Sequence, residues 1–126
     1  MRPKTAFLLS QLVLLSSVAS AQFEVTADAM RDIEDTTKSL DSNVALKETK
    51  NAVTEAKELV SFFRQVEAYY AQQPNAADAV GYARKTHELA AQALAALEAQ
   101  NFDQAGDSVN ALTRSCKTCH DVYKNK

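Results

Sequence analysis

Glycine and proline are scarce, two of each among 126 residues. A chain built from many hairpins needs these residues at its turns, which argues against a β-sandwich, a barrel or a collagen-like repeat. Tryptophan is absent, and the two cysteines are too few for the disulfide framework of a small stapled domain. No stretch alternates apolar and polar residues as a half-buried strand would. Basic residues form no cluster and the formal net charge is −2, so nucleic acid is not expected as a partner. The longest apolar run, Ala6 to Leu15, is interrupted by Ser10 and Gln11 and is too short to cross a bilayer.

That short run has flanks of its own. Met1-Arg2-Pro3-Lys4 precedes it with positive charge, and Ala19-Ser20-Ala21 follows with the small-x-small pattern that signal peptidase reads. Residues 1–21 are therefore expected to be a signal peptide that is removed, leaving residues 22–126 as one domain in the periplasm. No membrane span is expected after removal. The loss of Arg2 and Lys4 takes the formal charge from −2 to −4.

From Gln22 onward the apolar residues recur at three and four, the helical period. A first stripe runs Phe23, Ala27, Met30, Ile33, Thr37, Leu40, Val44, with Asp41-Ser42-Asn43 offering a break and a cap for the next helix. A second runs Thr49, Ala52, Ala56, Leu59, Phe63, Val66, Tyr70 and stops at Gln72-Gln73-Pro74-Asn75. The third, about Ala76 to Ala99, is alanine-rich. It places Val80, Ala83, His87, Ala90, Leu94 and Leu97 on one stripe, beside a neighbouring face of Tyr82, Leu89 and Ala93. The fourth opens near Asn101 and sets Phe102, Ala105, Val109, Leu112, Cys116, Cys119 and Tyr123 inward. The expectation is an all-α chain, an antiparallel up-down-up-down four-helix bundle. In that order the start of the first helix and the end of the fourth share one end, which brings Met30 near Cys116 to His120.

Both cysteines fall within Cys116-Lys117-Thr118-Cys119-His120. A disulfide between them would close almost no loop and so stabilise little. C-x-x-C-H is instead the signature of c-type haem attachment. On a helix the two thiols share a face and can each add to a haem vinyl group, while His120 offers an imidazole to the iron. One covalently bound haem c per chain is expected, with Cys116 and Cys119 as attachment points and His120 as proximal ligand. A thioredoxin-like dithiol would need a βαβ setting and a helix N-terminus, and structural zinc would need a fourth ligand that only distant His87 offers.

The residues leave the sixth iron position open. Met30 lies on the inward stripe and could give a thioether, or be an ordinary gap-filling core residue. His87 would make a bis-histidine iron, or sit at the edge of its helix as a satisfied histidine. Phe62, Phe63, Tyr69 and Tyr70 read as core that could wall a pocket, and Arg31 and Lys124 as surface cations within reach of propionates.

The chain resembles the class II c-type cytochromes, the group of cytochrome c prime and its low-spin, six-coordinate relatives. The resembling residues are Met30-Arg31-Asp32-Ile33, Phe63-Arg64-Gln65-Val66-Glu67-Ala68-Tyr69-Tyr70, and Cys116-Lys117-Thr118-Cys119-His120-Asp121-Val122-Tyr123-Lys124. It departs from them in Lys124, where an arginine often follows the tyrosine, and in having no tryptophan. The resemblance implies a four-helix bundle with haem near the C-terminus and a distal residue from the first helix, which Met30 matches. It further implies an electron carrier, not an enzyme, serving periplasmic redox proteins, with pairing into a homodimer common among relatives. The alternative it carries is a haem protein that binds nitric oxide or carbon monoxide at an open or displaceable sixth position.

Overall fold

The computed structural model describes residues 22–123. The signal peptide expected at 1–21 and the surface role expected for Lys124 lie outside the described residues. Four helices account for nearly all of them: α1 (Ala27–Ala45), α2 (Thr49–Ala71), α3 (Ala77–Glu98) and α4 (Phe102–Tyr123). α1 packs on α2, α2 on α3, α3 on α4 and α4 back on α1, while no diagonal pair meets. Short connections and a closed ring of neighbours make this the up-down-up-down bundle.

Each helix forms for local reasons. Thr26 caps α1 by accepting the Ala29 N–H at 3.1 Å, and Asn101 caps α4 by accepting the Gln104 N–H at 3.1 Å. The helix ends must be made without glycine. After α1, Lys47 adopts a left-handed φ of 56°, its N–H reaching Val44 O at 3.1 Å and the Glu48 N–H reaching Asn43 O at 2.9 Å. α3 closes in the same way, with Gln100 at φ 55°, Gln100 N–H to Leu97 O at 3.0 Å and Asn101 N–H to Ala96 O at 2.8 Å. Both are Schellman motifs with a bulky residue where glycine is preferred.

The expected break at Asp41-Ser42-Asn43 does not occur, since α1 runs on to Ala45. Ser42 donates its hydroxyl back to Lys38 O at 3.1 Å, and Asn43 Nδ2 donates to Glu55 Oε2 on α2 at 2.9 Å. These polar side chains are thus used without interrupting the backbone ladder. On α3 the buried face is Ala79, Ala83, Thr86, Leu89, Ala90, Ala93, Ala96 and Leu97. Val80, His87 and Leu94, expected inward, are half-buried at its margin. With alanine on nearly every face, packing and not periodicity chooses which stripe turns in.

The core is uneven along the bundle. The largest fully buried side chains are Leu40, Leu59, Leu97, Val109 and Leu112. Leu40, Leu97 and Val109 lie towards the end away from the start of α1, and Leu59 and Leu112 near the middle of the bundle. At the other end buried Ile33, Phe63 and Val66 stand with the small Ala76, Ala79 and Ala83 and with half-buried Met30, Tyr70, Cys116, Cys119 and Tyr123.

Candidate haem-attachment site

The chemistry-bearing residues gather at the end of the bundle where α1 starts and α4 finishes. Gly106 of α4 faces Val44 of α1, whose Cγ1 lies 3.9 Å from where a Cβ on that glycine would stand. Antiparallel helices of equal rise keep that register. Fourteen residues back from Val44 is Met30, and fourteen on from Gly106 is His120, so the two are level across the bundle. Met30 and Cys116 both pack against the apolar core from its edge.

The same reasoning separates His87 from this level. Thr86 of α3 and Ser115 of α4 are joined by a 2.6 Å hydrogen bond. Five residues on from Ser115 is His120 and five back from Thr86 is Gly81, so His87 stands about 9 Å farther along the bundle than His120. Its Nε2 is buried and has no hydrogen-bond partner among the described residues.

Cys116 and Cys119 are three apart on α4, both half-buried and neither in a disulfide. Burial pushes the Cys116 thiol up from 9.0 to about 11, helped by Cys119 and by Glu34 across the groove on α1. Burial also raises Cys119, with the carboxylate of Asp78 acting in the same direction. Both sulfurs are therefore held as thiols at neutral pH. A redox dithiol needs the opposite, a thiolate made by lowering the pKa. Among the described residues no group of three or more His, Cys, Asp or Glu converges as an ion-binding cluster. The donors are offered singly, two thiols and an imidazole on one stretch of helix.

Aromatic rings wall the same end. Tyr70 meets Tyr69 edge-on at 5.3 Å between centroids and Tyr123 at 5.7 Å, tilted by 46°. Phe63 is buried in the core, while Phe62, Tyr69 and Tyr70 are half-buried. A shallow hollow of about 400 Å³ opens beside Tyr70, between the end of α2 and the start of α3, with Ala76 and Val80 in its wall. The Tyr123 hydroxyl donates to Asp78 Oδ1 of α3, and this carboxylate raises the phenol to about 12. Arg31 is exposed and paired with Asp28 at 3.0 Å.

The residues present fit a covalently held macrocycle. Two protonated thiols share one half-buried face, an imidazole follows directly, a thioether stands level with it on the opposing helix, and small Ala76, Ala79 and Ala83 line α3 at that end. Asp78 and Glu34, the two carboxylates that act on these sulfurs, were not apparent from the sequence. Their one signal there is position, Asp78 in the first turn of α3 and Glu34 one turn beyond Met30.

No family model matches the chain, and neither the curated proteins nor the solved structures yield a match.

Proposed function

We propose that the protein is a mono-haem c-type cytochrome of the class II kind, an electron carrier held in the periplasm after removal of residues 1–21. The observation that carries this reading is the C-x-x-C-H stretch at Cys116 to His120, half-buried at one end of the bundle with Met30 level with its histidine.

When bound, haem c supplies a reversible one-electron couple between ferric and ferrous iron. The chain's own part is to hold and to shield. Cys116 and Cys119 would hold the haem covalently, each adding its S–H across a vinyl group. His120 would give a nitrogen to the iron. Met30 would give its sulfur, and a thioether ligand would raise the potential. Two protein ligands retained in both oxidation states keep rearrangement small, which a carrier needs and a catalyst does not. Tyr70 and Tyr123 keep water from this end of the core.

The level of Met30 with His120 favours it over His87 as the second ligand. The test is the visible spectrum of the secreted protein, oxidised and reduced, followed by exposure of the reduced form to carbon monoxide. A low-spin spectrum and inertness to the gas are expected. Rapid, tight uptake would contradict the carrier and favour the gas-binding alternative.

A further inference from the structure

α3 supplies no residue to the C-x-x-C-H stretch, yet its side chains tie α4 down on both sides of it. On the near side Thr86, 2% exposed, donates its hydroxyl to Tyr82 O at 2.8 Å. Its one hydroxyl hydrogen is thereby committed. Ser115, directly before Cys116, is therefore the donor in the 2.6 Å bond to Thr86 Oγ1. On the far side Tyr123, three residues past His120, donates to Asp78 Oδ1. That oxygen also accepts the Ala79 N–H at 2.9 Å, so it is anchored on the first turn of α3, where the helix dipole favours a carboxylate. The Tyr70 ring lies tilted against the Tyr123 ring at 5.7 Å and restrains its plane.

Tyr123 stands four residues from Cys119, one turn away on the same face of α4. Whatever fixes Tyr123 restrains the turn of α4 that runs from Cys119 to it. We propose that Asp78 is a positioning residue, acting through Tyr123 to hold the turn of α4 from Cys119 to Tyr123, and with it Cys119 and His120, in one orientation at the haem end of the bundle. The proposal deepens the haem reading and rests on it. In this role Asp78 acts through Tyr123. It sets the direction of the imidazole by immobilising the turn that bears it.

Haem-loaded wild type and the variants Tyr123→Phe, Asp78→Ala and Asp78→Asn would be compared in two ways. Electron paramagnetic resonance of the ferric protein reads the orientation of the axial imidazole, and amide hydrogen exchange over residues 119–123 reads the turn itself. Asp78 is exposed, and Tyr123→Phe keeps the ring, so none of these changes removes core. Exchange should quicken roughly tenfold or more in Tyr123→Phe and Asp78→Ala, the loss expected for one charge-assisted hydrogen bond. The resonance should shift or broaden in the same two variants. Asp78→Asn, which keeps an acceptor oxygen, should restore much of both.

An unchanged resonance in haem-loaded Tyr123→Phe overturns the proposal, whether or not exchange quickens, because the tie would then serve the fold and not the ligand. Asp78→Asn behaving like Asp78→Ala overturns it as well. A wild-type mass equal to the bare chain removes the haem reading and the proposal with it, a result distinguishable from either of these.

Discussion

Raising the pH tests the burial of the Cys116 and Cys119 thiols directly. In the haem-free, reduced chain Cys116 ionises at about 11 instead of 9.0, principally because burial disfavours the thiolate. Below about pH 9 the thiol is protonated in folded and unfolded chains alike and contributes nothing. Between about 9 and 11 the unfolded chain has released its proton while the folded chain keeps it, so stability falls as pH rises. Above that window the loss levels off. Two pH units correspond to about 3 kcal/mol as a ceiling. Cys119, Tyr70 and Tyr123 are raised too and add to the alkaline decline, so the Cys116 share must be isolated by comparison with Cys116→Ala. Urea unfolding followed by circular dichroism at pH 8.5 and pH 11 makes that comparison. The wild type should lose about 2–3 kcal/mol more than the variant across the interval. If haem is attached as proposed, the sulfur would be a thioether with no proton to lose, and the Cys116 contribution should vanish. Parallel declines in haem-free wild type and Cys116→Ala would refute the argument from burial.

Three further outcomes follow from the fold and the site. Gln100→Gly relieves a left-handed conformation at the end of α3 and should add about 1 kcal/mol of stability, raising Tm by several degrees. Lys47→Gly should gain less, because the Lys47 ammonium lies 5.9 Å from the Phe102 ring centroid and that contact is lost; equal or opposite effects in thermal scans would count against this ordering. Leu112→Ala empties a fully buried position and should cost about 2–5 kcal/mol in urea unfolding. Met30→Ala should turn a low-spin haem spectrum high-spin; an unchanged spectrum would pass the sixth position to His87.

Most of the architecture was legible because the heptad-like spacing of residues such as Ala52, Ala56, Leu59 and Phe63 is a direct imprint of one buried helix face. What was not legible has identifiable causes. The end of α1 was misplaced because the polar triplet Asp41-Ser42-Asn43 finds partners without leaving the helix, while the true terminator is Lys47, a residue that carries no signal for a left-handed turn. The inward stripe of α3 was displaced because alanine leaves little contrast between faces, and it took Thr86, not His87, to define the side towards α4. The candidate donors Cys116, Cys119 and His120 were readable because they fall within five residues of one motif. Their supports were not, since Asp78 and Tyr123 are 45 residues apart and Thr86 and Ser115 are 29 apart, and such pairs leave no periodic trace.

Every functional statement above depends on two carbon–sulfur bonds from α4 to a porphyrin. The mass of the protein secreted by a host with haem-ligation machinery tests them most directly. The account predicts residues 22–126 plus one haem, retained after denaturation in acid and organic solvent. A mass of the polypeptide alone would contradict it.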